Sequence, residues 1–185
     1  EATVKMAPES REAHVQIGLL NLADKRYAEA ERIFTKLYQA DREDLRGLMG
    51  LSETYAGQGN YDKAMQLLET ELARRPGTAQ IRLALGNLAF RAKRYDHAIR
   101  NYQAILKQQP NDGGVYLRLG ETYRMMGDTK SAMDSFQKAR ELLPDDVQPS
   151  LQLALLLDSS RQHEEARPVY EQVLRLQPDN PVALN

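Results

Sequence analysis

Alanine recurs every 34 residues along this chain, at Ala30, Ala64, Ala98, Ala132 and Ala166. This spacing constrains the fold more than any other feature, because the surrounding residues recur with it. Five windows, 11–44, 45–78, 79–112, 113–146 and 147–180, place Ile17, Leu51, Leu85, Leu119 and Leu153 at their seventh position. The eighth position holds Gly18, Ser52, Gly86, Gly120 and Ala154, and the twenty-fourth holds Phe34, Leu68, Tyr102, Phe136 and Tyr170. Proline stands at the thirty-second position in four windows, as Pro76, Pro110, Pro144 and Pro178. A chain of this kind repeats one supersecondary unit. Each unit is too small to be stable alone and buries its apolar side against its neighbours.

The stretch from Leu85 to Pro110 shows the unit most clearly. A first helix carries Leu85-Gly86, Lys93-Arg94 make a turn, and a second helix runs from about Tyr95 to Gln108. Proline cannot continue that helix and biases the residue before it away from α geometry. Asp112 and Asp146, just beyond two of the prolines, favour the start of the next helix. The small residue at position eight lets the paired helices approach closely, and the alanine at position twenty is expected to meet it. Three departures carry expectations of their own. Arg42 replaces proline in the first window and predicts a looser turn. Glu71 stands where Ile105, Ala139 and Val173 stand elsewhere, which predicts a less buried site or a rotated helix. Pro168 is expected near the first turn of its helix, where it would cost little.

Five copies in unbroken register resemble the tetratricopeptide-repeat (TPR) family, whose period is about 34 residues. The resemblance implies an all-α fold, a right-handed superhelical solenoid of stacked antiparallel helix pairs. It implies five repeats with the window boundaries above. Residues 1–10 then match the end of a preceding repeat's second helix, and 181–185 the start of a following repeat. The chain is therefore expected to be a fragment of a longer array. Its style resembles the TPR arrays of large bacterial proteins, including envelope and exopolysaccharide-export scaffolds, which leaves cytoplasm and bacterial cell envelope (periplasm) both open.

The composition limits the chemistry. There is no cysteine, which removes thiolate nucleophiles, disulfides and cysteine-bound metals. The formal net charge of -1 gives no broad positive field for nucleic acid. No apolar run approaches the roughly 18 residues of a membrane span. His14, His97 and His163 lack the helical spacing of a metal pair. Adjacent carboxylates such as Glu164-Glu165 diverge on a helix and suit its N-terminus. Gly57-Gln58-Gly59 and Asp112-Gly113-Gly114 follow no strand, so neither reads as a phosphate loop. These readings predict no enzyme, no cofactor and no metal site.

What the family resemblance implies instead is a concave groove lined by the first helices, binding a peptide, helix or partner domain. Family practice places variable contacts at positions two, five, nine, twelve and thirteen of those helices. Here they include Arg46, Glu53, Asn87, Phe90, Arg91, Glu121, Arg124 and Met125. Position five is apolar throughout (Val15, Met49, Leu83, Leu117, Leu151) and is expected to belong partly to the core. Arg46, Arg91 and Arg124 are expected to pair a partner's carboxylates, and Phe90 and Met125 to receive apolar anchors. The lysine–asparagine carboxylate clamp of chaperone adaptors is absent, because position five is apolar. Asn87 alone does not make the asparagine ladder of sugar-transferase relatives. The function implied is a non-enzymatic protein–protein interaction scaffold. Its alternatives are a self-association module, giving a homo-oligomer through exposed end repeats, and a regulatory segment of a larger enzyme or export complex.

Overall fold

The computed structural model describes residues 8–184, with side chains from Ser10 onward. Residues 1–7 and 185, on which most of the expected preceding repeat and the last residue of the following one fall, lie outside the described residues. Among the described residues there are ten helices and no strand. They are α1 (Pro8–Ala23), α2 (Tyr27–Ala40), α3 (Leu45–Gly57), α4 (Tyr61–Arg74), α5 (Ala79–Arg91), α6 (Tyr95–Leu106), α7 (Gly113–Met126), α8 (Thr129–Leu142), α9 (Val147–Ser159) and α10 (His163–Leu176). The chain divides into two compact units, residues 1–93 with α1–α5 and residues 94–185 with α6–α10. Within each unit a helix packs chiefly on the next one along the chain.

The period of the apolar residues explains the helices. In α2 the buried residues are Ala30, Ile33, Phe34 and Leu37, one stripe at helical spacing. The first helix of a repeat lies between two neighbours and is buried more widely: α9 buries Pro149, Ser150, Leu153, Ala154, Leu156 and Leu157. In the second unit Ala132 and Phe136 of α8, Leu153 and Leu156 of α9, and Ala166 and Val169 of α10 share one core. Asp112 and Asp146 do cap α7 and α9, accepting from the amides of Val115 and Gln148. Asp44 and Asp128 cap α3 and α8 in the same way.

The turn inside each repeat has a shared conformation. Lys25, Gly59, Lys93, Gly127 and Arg161 occupy the fifteenth position of the five windows, and each has φ between 57° and 82°. Left-handed backbone there reverses the chain between paired helices. Glycine adopts it freely, whereas lysine and arginine adopt it against steric resistance.

Three expectations are corrected. The turn at 41–44 is not loose: it spans no more residues than the proline turns at 75–78 and 143–146. Asp41 accepts from the amides of Glu43 and Asp44, Arg11 binds Asp41 at 2.8 Å, and the Arg42 guanidinium lies over the Tyr38 ring. These contacts replace the stiffness of proline. Glu71 is not less buried; it is 1% exposed. Pro168 is the sixth residue of α10, beyond the first turn, so its missing N–H leaves the Glu164 carbonyl without that helical bond. The atoms nearest to a side chain added at Gly18 or Gly120 belong to the rings of Phe34 and Phe136, at 2.7 Å and 2.5 Å. In these two repeats the nearest approach at position eight is therefore to the aromatic ring at position twenty-four.

Candidate functional site

Five of the eight sequence-derived groove residues lie on α3 and α5 of the first unit. The N-terminus of α3 is built from charge. Asp44 caps the helix and also takes the Arg46 side chain, with Nε at 2.9 Å and 3.0 Å from its two oxygens and Nη2 at 2.6 Å. Arg46 reaches across to α1 as well, where its Nη1 donates to Glu12 at 2.6 Å. The Arg46 bond holds the Asp44 carboxyl below the usual carboxylate range, with burial working the other way.

Arg91 ends α5 and donates to Glu53 of α3 at 2.6 Å, with its guanidinium over the Tyr61 ring at 5.7 Å from the centroid. Burial disfavours its charge, but the Glu53 bond and Tyr61 outweigh that and the guanidinium pKa rises. So two of the three arginines expected to await a partner already hold carboxylates of this chain.

Between α3 and α5 lies a cleft of about 600 Å³. Leu45, Met49, Leu83 and Ala84 supply its apolar lining, and Glu43, Asp44, Arg46, Gln80 and Asn87 its polar lining. Met49 and Leu83 are half-buried, so position five forms the floor of a cleft here. Asn87 is among the residues that line this cleft. Phe90 is half-buried on the same helix.

The remaining three residues lie on α7 of the second unit. Glu121 is half-buried, and Arg124 and Met125 are exposed. Among the described residues Arg124 has no ion pair. Leu155 of α9 is also exposed, at 39%.

Sequence reasoning missed Glu12, Asp44 and Tyr61 as the groups that hold the arginines. For Glu12 the signal was present, since Glu12 and Arg46 share position two in successive windows. It missed Glu43 as well, which no repeat position marks. No group of three or more His, Asp or Glu residues suited to a metal ion occurs among the described residues. No helix among them is long and apolar enough to cross a membrane.

With this geometry, comparison with known proteins is direct. One tetratricopeptide-repeat family model matches residues 21–88 and 123–185, and a second matches 77–145. The chain belongs to the tetratricopeptide-repeat family. It is similar to Superkiller protein 3 of Schizosaccharomyces pombe, 24% identical over 180 residues, which are 94% of this chain and 13% of that protein. The general transcriptional corepressor ssn6 of the same organism is 29% identical over 122 residues, 65% of this chain and 11% of that protein. A TPR repeat-containing protein of Treponema pallidum is 26% identical over 125 residues, 68% of this chain and 16% of that protein. The chain thus spans less than a fifth of the length of each of these relatives. Among solved structures, MamA from residue 41 to its end, of Desulfovibrio magneticus RS-1, superposes with a TM-score of 0.74 at 20% identity. That match covers 92% of this chain and 97% of that one, and it shows the fold.

Proposed function

We propose that this chain is a non-enzymatic protein-interaction scaffold that takes a peptide or helix of a partner on its first-helix face. The observation that carries the reading is the cleft between α3 and α5. It offers an apolar floor of Met49, Leu83 and Ala84 beneath polar groups at Arg46, Gln80 and Asn87. A floor of this kind anchors an apolar side chain, and the polar lining fixes its direction. Membership of the tetratricopeptide-repeat family supports the same reading.

The arginines have a modified role in it. A partner carboxylate reaching Arg46 or Arg91 must share the guanidinium with Glu12 and Asp44, or with Glu53. Affinity then comes mainly from the floor, and the arginines contribute orientation and selectivity. Arg124, Met125 and Glu121 offer a second contact region on α7.

The test is site-specific photo-crosslinking with the reactive group at Leu83 in one variant and at Arg100, on the second helix α6, in another. The expected outcome is one adduct of defined mass from Leu83 and none from Arg100. That adduct should vanish in a chain whose cleft is filled by Ala84→Trp and whose melting temperature is unchanged. Equal yields from both positions, or an adduct indifferent to Ala84→Trp, would sink the reading.

A further inference from the structure

We propose that the occupant of the α3–α5 cleft is a cationic segment, with an apolar side chain on the cleft floor and a lysine or arginine beside it on the carboxylate of Glu43. This rests on the reading of the cleft as the partner site and goes beyond it by giving the partner's charge. The sequence alone points the other way, since its arginines invite a carboxylate.

Those arginines are already committed. Arg11 lies 2.8 Å from Asp41 and 3.6 Å from Asp44. Arg46 lies 2.6 Å from Asp44 and 2.6 Å from Glu12. Arg75 lies 3.0 Å from Glu71 and 3.4 Å from Glu43. Each guanidinium is thus shared by two carboxylates. With Arg74 at 3.5 Å from Glu71, these groups together hold five carboxylates and four guanidiniums. An anion arriving at Arg46 must displace Glu12 or Asp44 and then remain beside it, so like charge opposes it.

The amides that start α3 are taken as well. Asp41 accepts from those of Glu43 and Asp44, and Asp44 from that of Arg46. The positive end of the helix is therefore met by the chain's own carboxylates. The α5 wall of the cleft is uncharged, made of Gln80, Leu83, Ala84 and Asn87. Arg82 of that helix donates to the Pro76 carbonyl, and Arg91 to Glu53.

Glu43 is the charge the cleft leaves open. It lines the cleft, and its side chain is 85% exposed. Its contact with Arg75 is long and solvated, and such pairs contribute little. Arg75 keeps the buried Glu71 when Glu43 turns to a partner, so the exchange leaves no buried charge unpaired. Met49 lies one turn, about 6 Å, along α3 from Leu45, and Glu43 stands just before that helix. Side chains two residues apart in an extended peptide share a face at about 7 Å. An apolar residue and a lysine or arginine at that spacing match floor and carboxylate together, and the lysine stem adds apolar contact.

Panning a phage-displayed library of random peptides on the chain tests this, with the filled-cleft Ala84→Trp chain as counter-selection. Peptides kept by the first and refused by the second are cleft binders. They are expected to be enriched in lysine or arginine two residues from a large apolar residue, and depleted in aspartate and glutamate. For a synthetic copy of the most enriched peptide, fluorescence anisotropy should show Glu43→Gln weakening binding about fivefold and Glu43→Lys weakening it further. Replacing the peptide's basic residue by glutamate should restore binding to the Glu43→Lys chain. Both chains should keep the parent melting temperature, because the Glu43 side chain is exposed. Cleft-dependent peptides that are neutral or acidic, or basic ones indifferent to Glu43→Lys, overturn the inference and leave the cleft as a binding site. Absence of any cleft-dependent peptide overturns the partner reading of the cleft and this inference with it.

Discussion

Glu71 shows how a residue can break the repeat pattern and still be core. Its carboxylate is 1% exposed, at a position where Ile105, Ala139 and Val173 are equally buried. The Tyr38 hydroxyl donates to Oε2 at 2.6 Å, Arg75 Nη2 lies 3.0 Å from Oε1, and Arg74 Nη1 lies 3.5 Å from Oε2. Burial pushes the carboxyl up, but Tyr38 and the two guanidiniums pull harder, so its pKa lies below the ordinary value. The carboxylate is stable only as part of this group. Glu71→Ala is expected to cost about 3 kcal/mol, because two arginines and a phenol lose their buried acceptor. Glu71→Ile with Tyr38→Phe should recover to within about 1 kcal/mol of the original, since an apolar pair of similar volume replaces a desolvated one. Urea unfolding checks both. A double variant as weak as Glu71→Ala would mean that packing, not the lost charge, governs the site. The sequence shows the mismatch at Glu71 but not its resolution. Tyr38 is 33 residues away, and nothing in its own window marks it as a donor.

The helical hairpin was legible at the level of elements because period and punctuation agree. Small and large residues recur at fixed positions, and proline or aspartate marks the ends. The left-handed turn residue was not legible. Lys25, Gly59, Lys93, Gly127 and Arg161 share a backbone angle and no side-chain chemistry. A side chain at φ near 60° meets its own carbonyl, at a cost of roughly 1–2 kcal/mol, part of which glycine gives back as lost backbone entropy. Lys25→Gly and Arg161→Gly are therefore expected to stabilise by about 0.5–1 kcal/mol each, read as a rise in melting temperature. A fall at both sites would show that the long side chains contribute packing that outweighs their strain.

On the scale of the whole molecule, both units bury apolar cores between their helices, and they differ in the charged contacts laid over those cores. In the first, Arg11 pairs with Asp41 and Asp44 at the far end of its own repeat, while several ion pairs cross between repeats: Arg46 with Glu12, Arg75 with Glu43, Lys63 with Glu31, and Arg91 with Glu53. Such pairings join groups one repeat apart, which explains why the sequence offered Arg46 and Arg91 as open to a partner when the chain itself occupies them. In the second unit the ion pairs Lys138–Glu141 and Arg167–Glu164 are local, His163 Nδ1 lies 2.7 Å from Asp158 Oδ1 within one repeat, and an apolar core spans α8, α9 and α10. This contrast predicts unequal acid sensitivity. Asp41, Asp44 and Glu71 all have lowered pKa values in the folded chain. A lowered carboxyl contributes stability that is full above its unfolded pKa, about 4, and is lost as pH falls through the lower folded value. The lowered carboxyls of the second unit, Asp128 and Glu141, sit in a helix cap and a local pair. Their protonation loosens a helix end, not the joint between repeats. Hydrogen exchange followed peptide by peptide from pH 6 to pH 3, corrected for intrinsic rates, should show residues of α2, α3 and α4 losing protection first. Residues of α8 and α9 should hold to lower pH. Salt at 1 M should shift the same order in the same direction, because partly exposed pairs are screened and an apolar core is not. Simultaneous loss in both units, or earlier loss in α8 and α9, would refute the larger part assigned to charge in the first unit.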